Sequence, residues 1–312
     1  MQLRVKALIK ELVLRTGHYH RRLIRDSFGA VAVLCYHGIR RGSSTDYGVC
    51  FAGLHVTEAE FESHCRFIRE VCHPISLDQW KASLNGGPPL PPRPVLMTFD
   101  DGYRSIFSMA RPILQKYEIP AIVFVCSEPV ENQELLWYDA AARCLGEAEV
   151  ETMAMLPYLE WQNACAKLDK KVRHGDTNAP LTVQELKMLA ATSGMEIGGH
   201  TSGHARLAMA SKEEQLAQVL RNKKTLEQWT GQTIRAFAYP YGLPDQDYNS
   251  ISVSVVNDAG YEFAFTTVQS YVAPEKAYLE TPRFLMLAGV SPGELGHRFT
   301  YSWSRGEFNS VS

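Results

Sequence analysis

Short apolar runs and amphipathic stretches alternate along this chain. Residues 30–36 form an unbroken apolar run, read as a buried strand that ends at His37-Gly38. Thr57, with Glu60 three positions on, is the pattern of a capping box, and it opens a helix carrying Phe61, Phe67 and Ile68. A proline-rich connection over residues 88–94 leads to a strand at 95–99, a helix from about 105 to 117 and a strand at 119–125. Thr182 with Glu185 marks another capped helix, and residues 195–199 another strand. Ser211 caps a long charged helix reaching Trp229 and ended by Gly231. A strand at 234–239, a helix over about 248–259 and a strand at 261–267 close the series. Strand and helix in alternation over one core predict an α/β fold, a parallel sheet with crossover helices closed as a (β/α) barrel. At 312 residues one barrel is as compatible with the length as two domains.

Residues 126–180 break this rhythm. The stretch is helix-rich and too long for an ordinary connection, so it reads as a helical insertion acting as a lid or substrate-binding element. Trp137, in Leu135-Leu136-Trp137-Tyr138-Asp139, has two readings of equal weight: a platform for a sugar ring, or an anchor that packs the insertion on the barrel. The expected organisation is a basic N-terminal segment at 1–29 and a catalytic domain at 30–312, interrupted at about 126–180.

Charge changes the picture only at the N-terminus. Seven cations (Arg4, Lys6, Lys10, Arg15, Arg21, Arg22, Arg25) face one acid, Glu11, within residues 1–25, a net of +6 against −2 for the whole chain, which leaves −8 for the remainder. Val5, Leu8, Ile9, Leu12 and Val13 recur between the cations at helical spacing. The pattern suits a helix on an anionic inner-membrane surface as well as one packed on the barrel with a solvated basic face. Seven scattered cysteines with no C-x-x-C pair, no export signal and no stretch long enough to span a bilayer lead to the expectation of a cytoplasmic protein. The partner expected is a saccharide, not nucleic acid.

The chemistry lies in two stretches at predicted strand ends. Asp100 and Asp101 follow Thr98-Phe99, and on extended chain their side chains diverge, so one can ligate a metal while the other faces the water it activates. His200 and His204, in His200-Thr201-Ser202-Gly203-His204, stand four residues apart and can bind one cation together. The barrel reading puts all of them at the C-terminal ends of strands, the face on which such barrels place their chemistry.

With Phe237-Ala238-Tyr239-Pro240-Tyr241-Gly242, these stretches in this order resemble the first three motifs of the NodB-like polysaccharide deacetylases, carbohydrate esterase family 4. The similarity spans about residues 30–290. It implies an irregular seven-stranded barrel and a metal-dependent amide hydrolase that removes N-acetyl groups from carbohydrate. It also implies Asp101, His200 and His204 as ligands of a divalent metal, zinc above others, with Asp100 as general base and the Pro240-Tyr241 turn giving an oxyanion donor through the Tyr241 backbone N–H.

Two departures stand out. The arginine that usually precedes x-Pro-Tyr, orienting the base, is Ala238 here, and the late Leu-x-His that supplies the general acid is absent, since Leu285-Met286-Leu287 holds no histidine. His37, in Cys35-Tyr36-His37-Gly38, is similar to an early Tyr-His motif in the subgroup acting on poly-N-acetylglucosamine, and is the candidate acid; imidazole titrates near working pH. Arg283, in Thr281-Pro282-Arg283, is favoured over Arg235 as the substitute arginine. The remaining histidines, His55 among them, lack a partner motif. The expected function is N-deacetylation of a sugar in a glycan or glycolipid precursor. Hydrolysis of another C–N bond, of imide or ureide type, and a non-catalytic saccharide-binding module are the alternatives.

Overall fold

The computed structural model describes residues 2–25, 30–42, 46, 48–273 and 279–302. The expected boundary after residue 29 lies outside the described residues. Seven parallel strands form the sheet: β1 (Ala32–Tyr36), β2 (Pro94–Phe99), β3 (Ala121–Val125), β4 (Met195–Gly199), β5 (Ala236–Ala238), β6 (Phe263–Phe265) and β7 (Phe284–Leu285). Their spatial order is β7-β1-β2-β3-β4-β5-β6, and an eighth, two-residue strand, His73–Pro74, pairs with the start of β2. The sheet curls until β6 meets the segment before β7 through a parallel bridge between Phe265 and Thr281. The expected irregular barrel is thus the observed one.

Parity along the strands sorts side chains into two apolar layers. Val33, Leu96, Ile122, Phe124, Ala236, Ala238 and Phe265 pack together inside the barrel. Leu34, Met97, Val123 and Ile197, one position out of phase, face the surrounding helices. The interior phase of β2 runs Leu96, Thr98, Asp100. The outer phase runs Met97, Phe99, Asp101. The two carboxylates therefore leave the strand in opposite directions.

Two short helices, α1 (Gln2–Arg15) and α2 (His18–Arg25), precede the barrel. The continuous basic stretch at residues 1–25 breaks at Gly17, whose φ of 70° a helix cannot absorb. Helix α3 (Glu58–Val71) starts at Thr57 with its capping box formed, and α4 (Leu77–Leu84) starts the same way at Ser76. The helix expected at about 105–117 is not uniform. Residues 106–110 wind as a π-turn before α5 (Arg111–Lys116), because Pro112 has no N–H to donate to the preceding turn.

The stretch expected as an insertion folds as α6 (Ser127–Asn132), α7 (Trp137–Leu145), α8 (Glu147–Ala154) and α9 (Tyr158–Cys165). Helices α10 (Val183–Ala190) and α11 (Lys212–Thr230) begin at the boxes of Thr182 and Ser211, and α11 ends at Gly231 in the left-handed conformation. Helix α12 (Ser250–Asp258) and the terminal α13 (Pro292–His297) complete the outer layer.

Candidate active site

Four non-glycine residues at the C-terminal ends of β2, β4 and β5 hold positive φ: Asp101 (76°), Thr201 (61°), His204 (60°) and Tyr241 (62°). Each such residue is unfavourable by about 1–2 kcal/mol, and their clustering marks the place where side-chain direction overrides backbone comfort. At β2, Asp100 donates its N–H to Tyr36 O at 2.9 Å, and the chain then turns through Asp101 into Gly102. A Cβ at Gly102, which has φ 82°, would sit 3.0 Å from Val125 Cγ1, so the turn after the carboxylates requires glycine.

The turn brings Asp101 against both histidines. Asp101 Oδ1 lies 3.4 Å from His200 Nε2 and 3.4 Å from His204 Nε2, and all three side chains are buried. His200 Nδ1 lies 2.7 Å from Ala238 O, a carbonyl that can only accept, so Nδ1 carries a proton and Nε2 is the atom turned to the carboxylate. Asp101 Oδ1 and His204 Nδ1 have no hydrogen-bond partner.

Buried acceptors facing one another need a proton or a cation between them. Ligands at ~2.0–2.1 Å around a tetrahedral ion are separated by about 3.3–3.4 Å, which matches both measured separations, so the residues fit one divalent cation. Without one, burial raises the Asp101 carboxyl, but the His200 contact and the neighbouring imidazoles outweigh it and hold the group far below its ordinary value. Burial pushes His204 down to about 3, which leaves a neutral imidazole, the form that ligates.

Asp100 points into the barrel and meets Arg283, which lies just before β7 and is fully buried. The guanidinium forks onto the carboxylate, Nη1 to Oδ1 at 2.7 Å and Nη2 to Oδ2 at 2.8 Å, while its Nε donates to Thr266 O and Nη1 also to Thr98 Oγ1. Burial alone would raise the Asp100 carboxyl, but Arg283 first and His200 next pull it below the ordinary value, so the carboxylate is kept ionised. Arg235 is elsewhere, paired with Asp78 and Glu196. Cys35, His37 and Asp100 also place ligand-type atoms close together, but Asp100 is taken by Arg283 and burial holds the Cys35 thiol protonated, so this group is no metal site.

At β5, Pro240 O accepts from Gly242 N–H at 2.7 Å and Thr267 Oγ1 donates to Tyr241 O at 2.6 Å. With a trans peptide and Pro240's carbonyl turned back to Gly242, the Tyr241 N–H is directed the other way. The Tyr241 ring stands edge-on to His204 and under the Arg206 guanidinium. His37 Nε2 lies 4.0 Å from Asp101 Oδ2, and its Nδ1 is buried without a partner. A pocket of about 210 Å³ opens over these groups, lined by His37, Asp101, His204 and Tyr241 and walled by Tyr138 and Val150 of the insertion.

Trp137 settles into one of its two readings. It is 5% exposed, its Nε1 donates to His204 O at 3.1 Å, and it stands edge-on to Tyr138 and Trp161, so no face is open to a sugar ring. The expectation of a substrate platform is corrected: the indole pins the loop that carries His204.

Several groups at the site had no sequence signal. His55, set aside as a lone histidine, is buried against Gly38, where any Cβ would overlap its Nδ1; burial and then the charge of His37 lower it to about 4. Tyr138 faces His204 with ring centroids 4.9 Å apart, and its hydroxyl joins Tyr103 and, through it, the buried Asp139. Asn222 of α11 accepts from His200 N–H and donates to Val125 O, tying the β3 and β4 ends together. Such residues become visible only when the chain closes.

Residues 87–264 match the model of the family described as Polysaccharide deacetylase. The chain is 25% identical over 256 residues to the poly-β-1,6-N-acetyl-D-glucosamine N-deacetylase of Escherichia coli K12, covering 72% of this chain and 32% of that longer protein. It is 22% identical over 271 residues to the enzyme of that name from Staphylococcus aureus MSSA476, with 81% and 77% covered. The solved structure of IcaB from Ammonifex degensii superposes with a TM-score of 0.63 at 20% identity over 88% of this chain and 98% of that one, a likeness of fold.

Proposed function

Because this chain belongs to the polysaccharide deacetylase family, we propose that it hydrolyses the N-acetyl group of an N-acetylated sugar, releasing acetate and leaving a free amine on the glycan. The observation that carries this reading is the buried Asp101-His200-His204 group beside an Asp100 locked by Arg283. Asp101, His200 and His204 would hold a divalent cation, zinc by the character of the donors, and it would supply carbonyl polarisation and a lowered pKa of water at the site.

The chain's own groups do the rest. Asp100, ionised and oriented by the fork of Arg283, takes a proton from the attacking water as its oxygen bonds to the acetamide carbon. The Tyr241 N–H, turned by Pro240 and Gly242, donates to the developing oxyanion. His37, across the site on the Asp101 side, donates a proton to the nitrogen as the C–N bond breaks. Tyr138 and Val150 wall the pocket where the sugar lies.

Two relatives named as poly-β-1,6-N-acetyl-D-glucosamine N-deacetylases support an N-acetylated glucosamine unit as substrate class. The reading extends to a saccharide under construction, lipid-linked or nucleotide-linked, on the cytoplasmic side. Seven unpaired cysteines, of which Cys144 is exposed, suit a reducing compartment.

The test is metal analysis with acetate release on a panel of N-acetylated oligosaccharides and lipid- or nucleotide-linked sugars. Asp101→Ala, His200→Ala and His204→Ala are each expected to lose metal and turnover together, and Asp100→Asn to keep metal while losing rate. Full activity in metal-loaded Asp100→Asn, or wild-type protein that binds no divalent metal, refutes the reading.

A further inference from the structure

Helix α1 leaves Leu8, Ile9 and Leu12 on the outside. Lys10 pairs with Glu294, Glu11 accepts from the Gly293 N–H at the start of α13, and Leu14 packs against the core. Helix α2 buries Tyr19 and Leu23. The helix pair is therefore fastened to the body from one side. On the other, Leu8 and Leu12, four residues apart, share a face with Arg15, and Ile9 flanks them; Leu8 is 61% exposed and Ile9 and Leu12 are each 52% exposed. A helix selected only to pack on the barrel would turn these three residues inward. Lys6 and Arg15 on the same helix and Arg21 on α2 are exposed, within a segment of net +6 on a body of net −8.

We propose that α1 and α2 form a docking surface for an anionic lipid bilayer, with Leu8, Ile9 and Leu12 entering the acyl boundary and Lys6, Arg15 and Arg21 meeting lipid phosphates. Charge complementarity selects this occupant over a second copy of the chain, since self-docking would bring two basic segments, each of formal net +6 over residues 1–25, together. Apolar insertion and basic attraction act together here, the pair of signals that stable interfacial binding needs. The proposal does not rest on the deacetylase reading, because its readout is binding rather than turnover.

The experiment is co-sedimentation of the full chain with phosphatidylcholine vesicles, with and without phosphatidylglycerol, over a salt series. Binding is expected only with phosphatidylglycerol present, and it weakens as salt rises. Arg15→Ala with Arg21→Ala should lower partitioning on the order of 25-fold, about fivefold per cation. Leu8→Ser, Ile9→Ser and Leu12→Ser together should lower it by roughly tenfold or more even at low salt. All five residues are exposed, so the melting temperature should not move in either variant. The proposal is overturned by equal binding to pure phosphatidylcholine, by no binding to either vesicle, or by serine variants that bind as wild type. Lipid-free self-association abolished by the serine variant, without vesicle binding, would likewise reassign the face to a contact between copies.

Discussion

Replacing Arg283 by methionine tests the mechanism at its most constrained point. The substitution keeps an unbranched apolar stem inside the barrel and removes both charge-assisted bonds to Asp100, with those to Thr266 O and Thr98. Hydrogen bonds to charged groups contribute about 1.5–3 kcal/mol each, and breaking a buried ion pair by deleting one partner costs about 3–5 kcal/mol. Both figures apply here because Arg283 is fully buried and Asp100 nearly so. Burial then acts on Asp100 without its main counterweight, so the carboxyl that lay below its ordinary value moves up.

The sign of each effect follows. In the wild type a carboxyl held low contributes stability that is present above its unfolded value, about 3.9, and lost as pH falls through the folded value. In Arg283→Met the carboxyl is raised, so its contribution reverses and stability falls as pH climbs past about 4. The stability gap between the two proteins, from denaturant titration after chelation, should be smallest in acid and widen to about 3–5 kcal/mol near neutrality. In metal-loaded protein the acid limb of kcat/KM should move to higher pH, because only the ionised base accepts a proton, and loss of orientation should lower kcat by on the order of 10²-fold. The double variant Asp100→Asn/Arg283→Met should recover part of the lost stability, since it leaves no unpaired charge. A gap flat with pH together with an unmoved acid limb would refute the assignment of Arg283 to Asp100.

Two further outcomes are expected. His37→Ala should lower kcat for an N-acetylated sugar by roughly 10²–10⁴-fold with metal content retained, and should matter far less for an activated ester whose leaving group needs no proton; equal losses on both substrates would return the acid to another residue. Asp139, raised well above its ordinary value by burial against the opposing bond from Tyr103, costs stability progressively as pH climbs from about 4 towards its folded value. Asp139→Asn should therefore melt closer to, or above, the wild type at about pH 9 than at about pH 4, and an equal difference at both ends would show that the Asp139 carboxyl is not raised in the fold.

What could be read in the sequence follows the range of the interaction that decides each feature. The capping boxes at Thr57, Thr182 and Ser211 span three residues and formed as the spacing predicts. The strands leading into Asp100 and His200 were likewise visible as local apolar runs. Trp137 was not decidable, because its role depends on His204, 67 positions away. The stripe of Leu8, Ile9 and Leu12 was visible, but periodicity cannot say which side of a helix meets the body, and here the ion pair of Lys10 and the Glu11 cap decide it.

The displaced arginine has the clearest physical account. Ala238, at the position where the resembling family carries its arginine, is buried in the barrel interior, and Arg283 reaches the same interior with its guanidinium 5.6 Å from the centre of the Phe124 ring. Asp100 leaves β2 in the interior phase, so what it requires is a cation inside the barrel mouth, and any strand end facing that space can supply one. Two arginines could not share it, since Asp100 offers one fork and a second buried guanidinium would have no carboxylate to meet. Small Ala238 and buried Arg283 are thus two halves of one arrangement, written 45 residues apart in the sequence. The Ala238 backbone carbonyl, which any residue at that position would present, accepts from His200 Nδ1, so the strand position that lacks the arginine still orients a candidate metal ligand.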